Sequence, residues 1–214
     1  MLPFTHEQFL AVFAGYNAAV WPAQVVAYLL AAAMLAVLVA RTRSAGRIVG
    51  AGLAAMWLWT GVGYHWLHFA DINGAAWLFG ALFVLQALLI AQVAVVRNGL
   101  AFAPGGGACA WLGWLLVVYA TVLYPLLGLA TGQAYPAMPM FGITPCPVVV
   151  FTFGLFLLSR RPISAWLMVI PFAWSLIGGS AAFLLHVPQD WVLLFSGFAT
   201  LPLLMRKRRH AAAQ

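Results

Sequence analysis

Two histidines, one cysteine and two methionines are the residues of this sequence whose types and spacing suggest chemistry. His65 and His68 stand three apart, a spacing that puts two imidazoles on one face of an α-helix. Cys146 follows Thr144 and Pro145, which read as a helix N-cap and a first helical residue, so the thiol falls in a first turn. The positive end of the helix dipole favours a thiolate there, and apolar burial opposes it. With the thioethers of Met138 and Met140, these groups form a soft donor set suited to copper as Cu(I), or to zinc or a heavier thiophilic ion. The set matches no recognised ligand motif. Against it stands plain packing, since methionine and a lone cysteine commonly serve as apolar filler.

Other chemistries are less complete. His65 or His68 facing His186 would supply two axial ligands to a haem, although His186 sits close to the surface. Ser180, His186 and Asp190 can be arranged as a hydrolytic set, but Gly179-Ser180-Ala181 is not a nucleophile elbow. Cys146 with His65 is the better nucleophile and base, yet no oxyanion donor completes it. The balance leans away from an enzyme. The sole lysine, Lys207, lies in a terminal basic cluster, so no buried lysine is available for a Schiff base, and no Gly-rich phosphate loop ending in Lys is present.

The elements that must hold these groups are dictated by composition. Of 214 residues, 65% are hydrophobic and 6% charged, whereas a water-soluble surface needs about a quarter charged residues. Lipid is the expected solvent. The net charge of +7 comes from short clusters between apolar runs, which disfavours nucleic acid as a partner. No Lys or Arg precedes Arg41, so the first long apolar run is expected to be kept as a span rather than cleaved as a signal peptide. Two cysteines cannot make a disulfide framework.

Apolar runs predict seven transmembrane helices in an all-α bundle, near residues 18–40, 48–68, 75–96, 108–128, 146–159, 164–185 and 191–205. With that count, all ten basic residues fall on one side, at Arg41, Arg43 and Arg47, at Arg97, at Arg160 and Arg161, and from Arg206 to Arg209. By the positive-inside rule this side is cytoplasmic, which places the N-terminus outside and the C-terminus inside. Residues 1–17 are expected to form a short outer interfacial helix, with Thr5 and Gln8 as a capping box and Phe9, Phe13 and Tyr16 on one face. Residues 18–205 make the membrane domain, and 206–214 a basic tail.

Mid-depth polar groups are neutral: Gln86, Tyr119, Tyr124, Thr152 and Ser175. Interhelical hydrogen bonding, worth about 0.6 kcal/mol on average, accounts for such residues. Pro125 and Pro171 predict kinks, and Gly46, Gly50, Gly178 and Gly179 predict close helix approach.

The fifth helix is short. Fourteen residues rise about 21 Å, about 9 Å less than a hydrocarbon core of about 30 Å. The Pro-rich segment from Tyr135 to Pro147 is therefore expected to dip partly into the membrane, where irregular backbone survives only when protein buries it or a wet cavity adjoins it. An outward pocket follows, lined by this loop and by the outer ends of the second and sixth helices, where His186 and Asp190 bracket the last loop and Asn73 caps the third helix.

Three stretches, Gly61-Val-Gly-Tyr-His-Trp66, Ala134-Tyr-Pro-Ala-Met-Pro-Met-Phe-Gly-Ile-Thr-Pro-Cys-Pro147 and Gly178-Gly-Ser-Ala-Ala182 with Val187-Pro-Gln-Asp-Trp191, carry a family likeness. The sequence resembles the bacterial membrane proteins grouped as domain of unknown function 6064, from Tyr16 and Trp21 to Trp191. The resemblance implies a multi-span bacterial membrane protein and no particular activity, and a bacterial inner membrane is the expected location. Within these stretches, Tyr64, His65, Cys146, Pro147, Gln189 and Asp190 are the positions for a site, while His186 departs from the pattern and weakens the haem reading. The expectation is an outward pocket that binds or transports a soft metal ion or small ligand. The alternative is a structural or accessory membrane protein whose pocket seals the bundle or holds lipid.

Overall fold

A computed structural model describes residues 3–103, 105–185 and 187–212, with side chains through Arg209. Among these residues the regular structure is helical, save for one isolated bridge between Phe102 and Ser159. Helix α1, His6–Ala19, begins with the expected capping box: Gln8 N–H donates to Thr5 Oγ1 at 3.2 Å, and Thr5 N–H to Gln8 Oε1 at 2.8 Å. The first apolar run is not one helix from residue 18. It turns by 80° at Pro22 into α2, Ala23–Val39. The proline ring cannot continue α1, because it lacks an N–H and collides with the carbonyl four residues back.

The remaining helices are α3, Ala45–Trp59, widening into a π turn at Thr60–Trp66; α4, Ala76–Ala91, with a π turn at Gln92–Val96; α5, Ala108–Val118, joined through a π turn at Tyr119–Leu123 to α6, Tyr124–Ala130; α7, Pro145–Leu157; α8, Trp166–Leu184; and α9, Trp191–Ala212. Three rods, Ala76–Val96, Ala108–Ala130 and Trp166–Leu184, are long and apolar enough to cross a membrane. A fourth arises if α1 and α2 form one bent span. The expected seven are not all reached on length and composition: α7 has 13 residues, α2 has 17, and α9 carries the basic run in its last turns.

Helix α7 is the centre of the bundle. It touches α3, α5, α8 and α9, and it is buried from Pro147 to Leu157, as a helix that is apolar all round must be. Its backbone meets that of α5: a Cβ on Gly154 would stand 2.8 Å from the Gly113 carbonyl oxygen, and a Cβ on Gly113 2.9 Å from that of Gly154. The expected close approach at Gly46 and Gly50 also occurs, with Leu100 and Ala94 filling the space their side chains lack. Elsewhere the surface stays apolar, with Trp111 78% and Trp166 75% exposed.

Two helix prolines are answered by side chains from neighbouring helices. Pro171 leaves the Leu167 carbonyl without its helical donor, and Gln86 Nε2 of α4 donates to it at 2.9 Å. In the same way Tyr28 of α2 donates its hydroxyl to the Thr121 carbonyl, four residues before Pro125, at 3.0 Å. Trp57 Nε1 donates to Thr152 Oγ1 at 2.9 Å. Gln86, Thr152 and Ser175, which donates to Phe172 O, thus serve local backbone and neighbouring helices.

At one end of the bundle the basic loops tie together. Arg161 Nη1 donates to Asn98 O and Arg160 N–H to Ala101 O, both at 2.7 Å, and Lys207 Nζ donates to Ser159 O. At the other end α1 lies over the Pro-rich segment. Asn17 Nδ2 donates to Pro136 O at 2.7 Å and Met138 O at 2.8 Å, and the Tyr16 hydroxyl donates to Ile143 O at 2.8 Å. Irregular backbone is here buried by protein.

Candidate functional site

Local sequence explains how the site is framed. Thr144 is extended (φ −121°, ψ 154°) and Pro145 opens α7, as predicted, but the Thr144 hydroxyl donates to Met140 O at 2.8 Å instead of capping α7. Asn73 is likewise not the N-cap of α4. Its Oδ1 accepts from Ala75 N–H at 3.1 Å, and the helix starts at Ala76. Cys146 then sits in the first turn, the one residue of α7 that is not fully buried.

Cys146 opens onto a partly enclosed cavity of about 270 Å³ at the α1 end of the bundle. Phe4, Phe9 and Phe13 of the α1 region form one wall, and Tyr64, Phe69 and Phe79 a second. Pro139 and Pro145 supply a third, and residues of α8 from Trp174 to Leu184, with Leu185 just beyond it, a fourth. Ring contacts hold the walls in place: Phe13 stacks on Tyr64 with centroids 5.3 Å apart, and Tyr64 on Phe69 at 5.5 Å. The volume lies just below the lower end of ordinary small-molecule pockets, about 300 Å³.

Few polar groups face this space. Asp190, in the 3-10 turn Pro188–Asp190, is 4% exposed and accepts the Tyr124 hydroxyl on Oδ1 at 2.5 Å. Burial raises its carboxyl to about 6, against the lowering effect of the Tyr124 and Cys146 donors. The Trp174 indole is 7% exposed, and its N–H is directed to the Cys146 thiol. The Cys146 thiol is adjacent to both the Asp190 carboxyl and the Trp174 indole. Behind the wall, His65 is fully buried with both ring nitrogens unpartnered among the described residues. Its ring lies 4.8 Å from Phe83 and 5.1 Å from Trp174, centroid to centroid.

The metal candidates do not converge. The helix ends at Trp66, so His68 lies past it in a turn and the two no longer share a helical face: His65 turns in to Trp174, while His68 packs on Tyr16 and its Nδ1 bonds to Gly63 O at 2.8 Å. Met138 is buried against Gly128, and Met140 packs on the Phe13, Tyr16 and Ile143 cluster. Among the described residues no group of three or more His, Cys, Asp or Glu side chains is placed to hold a metal ion. Soft-metal binding therefore finds no assembled set of these donors among the described residues. His186, the other haem candidate, lies outside the described residues.

Of the expected pocket residues, Tyr64, Cys146 and Asp190 line the cavity. Tyr135 is 48% exposed and stands away from it. Thr144 and Pro147 are buried in the packing of α7, and Gln189 is held by Gln133 while its carbonyl accepts from the Tyr119 hydroxyl at 2.7 Å. Sequence reading missed Trp174 and the phenylalanines of α1. The signal for the latter was the apolar face at Phe9, Phe13 and Tyr16, which needed a partner within the protein.

Comparison with curated proteins and with solved structures finds no match. A family model matches residues 6–214, nearly the whole chain. On that match the chain belongs to the family of unknown function DUF6064.

Proposed function

We propose that this is a multi-pass membrane protein whose outward pocket binds a small, largely apolar molecule. The cavity beside Cys146 carries the reading: it is partly enclosed and bounded mainly by aromatic and aliphatic side chains. Seven spans are proposed, α2, α3 with its π turn, α4, α5 with α6, α7, α8 and α9, with α1 on the outer surface. The ties among the loops after α4 and α7 and the basic run of α9 support one common basic end, which the positive-inside rule assigns to the cytoplasm. That orientation puts the cavity at the outer face of a bacterial inner membrane.

Orientation is tested by single cysteines in a protein otherwise free of them. Glu7→Cys should react with a membrane-impermeant maleimide in intact cells, and Arg208→Cys only after lysis; the reverse pattern overturns the topology. Binding is tested in a Cys109→Ser background, where N-ethylmaleimide reaches Cys146 through the cavity. Hexylbenzene should slow that reaction saturably, and Ala182→Phe, which fills the cavity, should abolish the protection. A rate indifferent to hexylbenzene up to its solubility limit counts against a pocket.

A further inference from the structure

Charge is divided between the two ends of the bundle. The three acidic side chains lie at the α1 end: Glu7 in α1, Asp71 in a hollow shared with Gln8 and Gly15 of α1, and Asp190 in the wall of the cavity that α1 closes. The basic residues collect at the other end, where the loops after α4 and α7 and the end of α9 are tied together and the start of α3 packs Gly46 on the Leu100 carbonyl. Among the described residues no carboxylate stands there to pair with them.

Two of these cations flank one small cleft. Arg160, just after α7, and Lys207, on α9, line a hollow of about 80 Å³ with Gly105, Gly106, Ser159 and Cys109. Lys207 is partly withdrawn from water, and its ammonium, which donates to Ser159 O, has two further donors. Arg160 is exposed, and it is its backbone N–H that binds Ala101 O. Taking an ammonium out of water is costly unless an anion or further acceptors compensate. The hollow is far smaller than the roughly 300 Å³ that a whole small molecule needs, so only a compact group enters and its bearer stays outside. Beside the cleft, Trp111, Leu115 and Val118 of α5 form an exposed apolar stripe at helical spacing, with Trp111 on the first turn as an interfacial indole.

We infer that this cleft seats the phosphate of an anionic phospholipid between Arg160 and Lys207, with the acyl chains along the exposed stripe of α5. Phosphate oxygens accept the charge-assisted hydrogen bonds that a guanidinium and an ammonium offer, and the stripe favours a lipid over free phosphate. The inference rests on the membrane reading above and is independent of the outer pocket, which lies at the opposite end.

The test uses the full chain in phosphatidylcholine nanodiscs into which phosphatidylglycerol is titrated. Cys109 lines the cleft and Cys146 the cavity at the other end, so N-ethylmaleimide labelling of the two, told apart by peptide mass, gives a reporter and its internal control. Phosphatidylglycerol should slow labelling of Cys109 saturably and leave that of Cys146 unchanged. Arg160→Gln with Lys207→Gln should move the half-effect to an about tenfold higher phosphatidylglycerol fraction, the loss expected of two cations at a lipid surface. Arg41→Gln with Arg43→Gln, an equal loss of charge away from the cleft, should leave it in place. Equal shifts from the two pairs, or equal slowing of the two cysteines, would reduce the effect to general surface charge and overturn the site. Inorganic phosphate protecting Cys109 as well as phosphatidylglycerol does would overturn the lipid in favour of a soluble anion. A chain that enters nanodiscs but shows no slowing of Cys109 overturns this inference alone, whereas a chain that does not enter them overturns the membrane reading. If the double variant fails to fold, Arg160→Gln, at an exposed position, should still shift the half-effect by about threefold.

Discussion

The side-chain amide of Gln86 sits 2.9 Å from the carbonyl oxygen of Leu167, and Leu167 is the residue that Pro171 deprives of its helical hydrogen bond. A neutral polar side chain within an apolar helix thus has a specific employer, a backbone acceptor on the neighbouring helix that would otherwise be unpaired away from water.

This pairing predicts a thermodynamic cycle. Gln86→Leu should destabilise the folded protein by about 1–2 kcal/mol, because the Leu167 carbonyl loses the side-chain donor that answers it. Pro171→Ala restores a backbone N–H four residues on, so in that background the cost of Gln86→Leu should fall to within about 0.5 kcal/mol of zero. Denaturation in mild detergent measures all four corners. Equal costs in both backgrounds would show that Gln86 acts through something else.

Asn17 predicts a local effect. Its amide bridges two carbonyls of the Pro-rich segment, so Asn17→Ala should cost about 2 kcal/mol and should speed hydrogen exchange at residues 137–141 more than in α4. Uniform exchange across the two regions would mean that α1 does not hold the segment. Asn17→Asp should be worse than alanine, since a carboxylate would face two carbonyl oxygens.

Asp190 predicts a pH dependence with a defined sign. It precedes α9 and lies outside the proposed spans, and its folded-state value of about 6 exceeds the ordinary 3.8. The folded protein therefore holds a proton that the unfolded chain has released between those values. Its contribution is fully present below about pH 4 and lost as the pH rises through 6, by roughly 3 kcal/mol at most. Thermal unfolding midpoints should fall over that interval and level off above it, and Asp190→Asn should remove the slope. An unchanged slope in the variant would assign it to other groups.

Much was readable before any coordinates. Apolar runs separated by short basic clusters pointed to an all-helical chain with helices able to cross a membrane, since few charges cannot clothe a soluble surface. The capping box at Thr5 and Gln8, the helix start at Pro145 and the irregular stretch before it follow from local backbone chemistry, and each appears where expected. Family membership was likewise written in contiguous motifs.

The cavity was decided elsewhere. Periodicity gives a helix its faces but not its neighbour, so only the folded chain could bring α1 over residues 136–143 and set its phenylalanines opposite Trp174. The apolar run continues past Trp66 although the helix does not, and that end, invisible in the pattern, separated His65 from His68. The residue types and the helices came from the linear order of the chain. Which side chains share a wall, and which buried polar group is left unanswered, depends on contacts between segments more than a hundred residues apart, for which local spacing carries no information.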